Sequence, residues 1–243
     1  DPLFKAAGLD ASAIKVHLLN DDRINAFVAP EMNMYINTGL LMRADTPNQV
    51  IGVIAHETGH ISGGHLARIQ DALHDATVES IAAMLLGIGA GIASGRGDLG
   101  VGAAALGQSI ATRDLLKYSR VQEASADQAG MTFLDETHQS ARGMLQFFQK
   151  LEGEEFLLES NQDPYVQTHP LTRDRIDSVQ AHVDHSPYSD AKDSPELMAL
   201  HQRMLAKLPG FLWPFGRVMQ TYPPSDNSVQ ARYARSIAHF RVS

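Results

Sequence analysis

The sequence predicts an α+β fold that is mostly helical, with one small antiparallel sheet near its start. Three features of the 243 residues lead there. Short apolar runs separated by turn residues are confined to positions 17–39. From Thr46 onward apolar residues recur at helical spacing. A composition of 44% hydrophobic and 20% charged residues supports a packed core rather than disorder.

In chain order, His17-Leu18-Leu19 is a short strand and Asn20-Asp21-Asp22 a turn. Asn25-Ala26-Phe27-Val28 is a second strand, stopped at Pro30, which cannot donate to a ladder. Met34-Tyr35-Ile36-Asn37-Thr38 is a third, ended by Gly39. Pro47 suits the first turn of a helix, and Val50, Ile51, Val53, Ile54 and Ile61 give it an apolar face. Gly63-Gly64 marks a break before a polar, helix-compatible segment through His74. Val78 to Ile92 and Val101 to Ile110 form a Gly/Ala-rich helical hairpin over 77–110, read either as a tightly packed pair or as a lid or peripheral membrane contact. A long helical region covers Leu115 to Lys150, interrupted near Gly130 or Asp135-Glu136. Asp163-Pro164-Tyr165 and His169-Pro170-Leu171 mark a loop, and Asp174 to Val183 a further helix. A linker around Ser186-Pro187 divides residues 1–186 from 187–243. The latter holds a short helix after Pro195, a Pro/aromatic stretch from Pro209 to Phe215, and a helix from Ser228.

Charge and composition narrow the function. Twenty Lys and Arg against 28 Asp and Glu give a net charge of -8, so the chain carries no basic excess for nucleic acid. No apolar run is long enough to span a bilayer. Cysteine is absent, which excludes thiolate ligands and cysteine nucleophiles and leaves metal binding to the 11 His and the carboxylates. The chain opens on Asp1 rather than Met, which suits a processed product whose signal peptide has been removed.

The chemistry centres on His56-Glu57-Thr58-Gly59-His60. On a helix, residues i and i+4 share a face, so His56 and His60 can reach one ion. Glu57, offset by about 100°, falls beside the ion and can take a proton from a bound water. Zinc needs a third protein ligand. His65 is one residue short of the position a longer histidine motif requires, and reads as structural or surface. Glu79 has an apolar setting. Glu123, in Glu123-Ala124-Ser125-Ala126-Asp127, is the stronger candidate, with Asp127 on the same face able to orient a ligating histidine. His169 stands before Pro170, which confines it to extended backbone and aims its side chain.

Four segments in this order resemble the M48 family of zinc metallopeptidases, in particular a periplasmic branch whose members continue into TPR arrays. They are Asn25-Ala26-Phe27 with Tyr35 to Leu41, Val53 to His60, Glu123 to Asp127, and His169-Pro170-Leu171. The resemblance implies a zincin-type fold with the H-E-x-x-H motif on its active-site helix. It implies one Zn2+ per chain on His56, His60 and Glu123, Glu57 as catalytic base, and Asp127 behind the ligands. It implies His169 as a fourth, inhibitory ligand, and the strand at Asn25, Ala26 and Phe27 as the edge that pairs with substrate. The expected activity is endopeptidase cleavage of unfolded or misassembled outer-membrane proteins in the periplasm, beside the outer-membrane assembly machinery. The alternative is a non-catalytic, chaperone-like client-binding module with a closed zinc site. Only a possible opening helix of the TPR array, Val229 to Phe240, is present, and no motif picks out an oxyanion-stabilising residue.

Overall fold

A computed structural model of the chain describes residues 2–65, 120–153 and 163–242. Helix α1 (Pro2–Ala6) leads to strand β1 (Lys15–Leu19), and β2 (Ala26–Ala29) and β3 (Asn33–Asn37) form a hairpin. Its turn holds Glu31 and Met32 at positive φ (62° and 57°), a conformation that non-glycine residues rarely adopt. The Asn33 side chain donates to the Pro30 carbonyl at 2.6 Å and closes the turn.

The sheet is mixed rather than wholly antiparallel. Its order is β1-β3-β2, with β2–β3 antiparallel and β1–β3 parallel. The turn at residues 20–22 sets this arrangement. The Asp21 carbonyl accepts from Gly39 N at 2.8 Å and from Thr38 Oγ1 at 2.9 Å. That passes the chain across the end of β3 and leaves β1 on the far side of β3 from β2. Gly39 is needed here, because a Cβ would sit 2.2 Å from the Asp22 carbonyl oxygen.

Helix α2 (Thr38–Arg43) follows β3 directly, and α3 (Pro47–Ser62) carries the motif. Thr46 caps α3, its side chain accepting from Gln49 N, with Pro47 in the first turn. Gly63 ends the helix, and Gly64 at φ +62° turns the chain away. The expected single apolar face understates the burial of α3. Every residue from Ala55 to His60 is buried.

A helix over residues 120–136 (α4) and α5 (Arg142–Leu151) follow. The long helical region therefore breaks after Glu136, one of the two expected places, while Gly130 lies inside α4. Gly130 is there for contact: a Cβ would meet Ala55 C and His56 N of α3 at 3.1 Å. Across the same seam a Cβ on Gly59 would lie 2.6 Å from Ala126 O. The two helices thus meet almost backbone to backbone.

Helix α6 (Pro164–Thr168) is a short turn within the expected loop, and α7 (Arg173–His185) packs on α5. Helix α8 (Pro195–Leu212) is longer than expected and runs through Pro209. Proline removes one helical donor. Leu205 O, four residues back, accepts instead from Tyr222 Oη at 3.4 Å. Helices α9 (Phe215–Thr221) and α10 (Val229–Val242) complete a second small core around Ala206, Val218, Ala234 and Ala238. The main core joins α1, the sheet and α2 to α7 through Met34, Leu40, Leu134, Phe147, Phe148 and Val179. The segment through His74, Glu79, the 77–110 hairpin and its lid or membrane role, and positions 115–119 lie outside the described residues.

Gly59→Ala is expected to lower stability by about 1–3 kcal/mol through overpacking of the seam. Gly216→Ala, in α9 with nothing near its Cβ position, is expected to raise it by up to about 1 kcal/mol. Thermal unfolding of the two variants beside the parent checks both signs.

Candidate metal centre

Helices α3 and α4 and the residue after α6 bring four buried side chains to one point: His56, His60, Glu123 and His169. One donor atom from each lies within 4.8 Å of all the others. His56 Nε2 is 3.0 Å from His60 Nε2, 3.3 Å from His169 Nδ1 and 3.3 Å from Glu123 Oε2. Glu123 lies 3.3 Å from His60 Nε2 and 3.2 Å from His169 Nδ1. A tetrahedral ion with bonds of about 2.0–2.1 Å places its ligands about 3.3 Å apart. The cluster therefore has the dimensions of a four-donor metal site.

The far nitrogens of the rings are also held. His56 Nδ1 is 2.8 Å from Asp127 Oδ1, and His60 Nδ1 is 3.0 Å from His65 Nδ1. His65 is thus structural, as one of its two expected readings had it, and buried rather than on the surface. His169 Nε2 faces the Ala26 carbonyl at 3.3 Å, leaving Nδ1 for the cluster. Such outer contacts fix which nitrogen carries the proton and how each ring points.

Glu57 is fully buried, and among the described residues neither carboxylate oxygen has a hydrogen-bond partner. Its ionisable contact there is His169 Nε2, 3.5 Å from Oε1. An unpartnered buried carboxylate is expensive, and one beside four converging metal donors fits a group that receives a proton there.

Two participants escaped the sequence reading. Arg175, in the first turn of α7 and 5% exposed, grips Asp127 with Nε at 2.6 Å and Nη2 at 2.9 Å. Its Nη1 is 3.0 Å from Glu123 Oε2. A signal was there: Arg175 sits beside Ile176 and four residues before Val179, on the face of α7 that is buried. Tyr165, in α6, packs its ring 4.8 Å from that of His169, and its buried hydroxyl has no hydrogen-bond partner among the described residues. Only its place between two prolines singled it out.

Burial and charge oppose each other inside this site. Burial alone would push the Glu123 carboxyl up, but the charge and hydrogen bond of His169, with bonds from His56 and His60, hold it well below the usual range. Burial likewise opposes ionisation of Asp127, and Arg175 and then His56 outweigh it, so its pKa falls. The His56 imidazole, pulled down by burial, is carried up to about 10 by Asp127 and Glu123. Burial, with Glu57 nearby, keeps the Tyr165 phenol neutral, well above its ordinary value.

Among the described residues the expected substrate strand is an edge of the sheet. Asn25 O accepts from Asn37 N, so its backbone faces β3. By alternation Phe27 does too, whereas Ala26 and Val28 turn outward. The free edge beside the cluster therefore belongs to Ala26, and Phe27 stacks on Tyr35 at 5.1 Å.

A fold of this kind around an H-E-x-x-H helix defines a metallopeptidase class, and the chain belongs to it: residues 1–183 match the model of peptidase family M48. Among its relatives is the beta-barrel assembly-enhancing protease of Yersinia pestis, 25% identical over 215 residues, covering 88% of this chain and 40% of that protein. The protein of the same name from Escherichia coli (strain K12) is 29% identical over 161 residues, covering 65% and 32%. Metalloprotease LoiP, also from Escherichia coli (strain K12), is 30% identical over 167 residues, covering 68% and 60%. The chain spans about a third to two-fifths of the assembly-enhancing relatives' length. Family and relatives support a metalloprotease. Among the described residues no helix is long and apolar enough to cross a membrane.

The centre is expected to take up one divalent transition ion per chain. Glu123→Ala should abolish uptake at micromolar metal, and Asp127→Ala should weaken it by about 10–100-fold, both read by competition with a chromogenic chelator.

Proposed function

We propose that this chain is a zinc endopeptidase acting on unfolded or misassembled outer-membrane proteins in the periplasm, and that His169 holds it in a resting state. The observation that carries the reading is the four-donor cluster with the buried Glu57 carboxylate, unpartnered among the described residues, beside it. His56, His60 and Glu123 would hold the ion, and His169 would be the fourth, displaceable donor. Bound zinc supplies Lewis acidity, polarising the scissile carbonyl and making a water acidic near neutral pH.

The chain's own residues do the rest. Glu57 accepts the proton of the attacking water and returns it to the leaving amine. Asp127 accepts from His56 Nδ1–H and keeps Nε2 free as a ligand atom. Ala26 and Val28 offer outward backbone groups to an extended substrate, with Asn25 and Phe27 holding that strand on β3. His169 blocks two places at once, because its Nδ1 fills a donor position and its Nε2 meets the Ala26 carbonyl.

Residues 1–186 form the peptidase unit on this reading, and 187–243 a linker and the start of a helical, TPR-type region with its own small core. The relatives' names make the outer-membrane assembly machinery the proposed partner.

A second reading has one observation in its favour. Four donors already close the cluster, as in a structural zinc site, which suits a non-catalytic, chaperone-like client-binding module. Cleavage of casein by the parent, His169→Ala and Glu57→Gln separates the two. The protease reading expects His169→Ala to cut at least tenfold faster than the parent and Glu57→Gln to bind zinc without turnover. Zinc at one per chain with no cleavage by either the parent or His169→Ala would favour the binding module.

A further inference from the structure

Arg175 does more than neutralise two carboxylates. Its Nη1 also donates to Pro170 O at 2.9 Å, with His169 O at 3.4 Å. One buried guanidinium thus touches the metal-side carboxylate Glu123, the histidine-orienting carboxylate Asp127, and the backbone that carries His169. Its remaining face lies 4.9 Å from the centre of the Phe148 ring, so the plane cannot swing away without losing that contact.

We propose that Arg175 is a positioning residue that couples the 169–170 loop to the metal centre. The proposal rests on the metal-centre reading above. The fork of Nε and Nη2 is committed to Asp127 in a bidentate pair, which fixes the guanidinium plane. That plane then determines where Nη1 points: it donates to Pro170 O, with His169 O at 3.4 Å, while its charge pairs with Glu123 Oε2 at 3.0 Å. Moving the loop outward strips Nη1 of carbonyl acceptors and turns it wholly to Glu123, drawing charge away from the ion. Drawing Glu123 onto an ion weakens its hold on Nη1 and returns that donor to the loop. Loop position and metal affinity are therefore linked through one side chain, and the linkage is reciprocal. Lysine keeps the charge but has no planar fork, so it cannot serve Asp127 and the carbonyls together.

The test uses Arg175→Lys in the full chain with two readouts: zinc affinity by chelator competition, and hydrogen exchange of the amides over 165–172. Zinc affinity is expected to fall by about tenfold or more. Exchange over 165–172 is expected to speed up at least tenfold, while amides of α10 exchange as in the parent. Unchanged zinc affinity overturns the proposal, and so does weaker zinc with an unchanged loop, which would leave Arg175 a carboxylate clamp only. Should Arg175→Lys fail to fold, Arg175→Gln/Asp127→Asn removes both charges together, and its loop exchange decides in the same way. If the parent takes up no zinc, the metal reading fails on that arm alone. Metal-free loop exchange then still judges the tether, and a parent-like rate in Arg175→Lys overturns it.

Discussion

The close crossing of α3 and α4 is the constraint from which the centre follows. His56 and His60 are fixed on one helix by their four-residue spacing, but a carboxylate on a second helix reaches them only if the backbones nearly touch. Glycine at 59 and 130, facing Ala126 and Ala55, permits that approach. Glu123, Ala126, Asp127 and Gly130 share one face of α4, so the carboxylates that reach the imidazoles alternate with the small residues that make room. A helix pair spaced by leucines at 8–10 Å would leave the carboxylates short of the imidazoles.

A crossing this tight buries the side chains between the helices, and that brings an electrostatic demand. Glu57, Glu123 and Asp127, brought together by two helices, are all buried around the same cluster of imidazoles. Carboxylates in such a setting persist as anions only with compensating charge. Arg175 and the imidazoles supply part of it among the described residues, and Glu57 alone is left without a hydrogen bond. The α7 helix therefore belongs to the centre as much as α3 and α4 do, although it contributes nothing to the donor set. Its packing on α5 through Ile176, Val179 and Val183 delivers the guanidinium to its place.

The parts of this arrangement visible in the sequence are those with a local signature. His56, Glu57 and His60 are legible because a helix puts i and i+4 together whatever surrounds it. Glu123 and Asp127 are legible for the same reason, once a ligand is missing. Arg175 and Tyr165 are not, because their roles arise from where α6 and α7 dock, and no short-range spacing encodes that. The parallel pairing of β1 was equally hidden. It depends on the Asp21 carbonyl capturing Thr38 and Gly39, seventeen and eighteen positions on in the sequence. Pro209 misled by its usual meaning as a helix stop, since the Tyr222 hydroxyl that accommodates it is supplied from α9's far end.

On the proposed reading, the placement of His169 explains how a site with catalytic parts can rest closed. Pro170 bars the helical conformation, the His169 amide donates to Tyr165 O at 2.8 Å, and the Tyr165 ring lies against the imidazole. The Ala26 carbonyl meets the far ring nitrogen. None of these contacts requires an ion, so on the proposed reading the closed state is built by the chain itself. Two or three such contacts at about 1 kcal/mol each bias the loop by a few kcal/mol, which leaves an open minority of roughly 0.1–10%. On the same reading, a substrate strand pairing along Ala26 and Val28 would make several backbone hydrogen bonds and would have to displace the His169 ring from the Ala26 carbonyl to do so. Strand addition at that edge and withdrawal of His169 from the cluster would then be one event, which an extended chain can trigger and a folded protein with no free strand cannot.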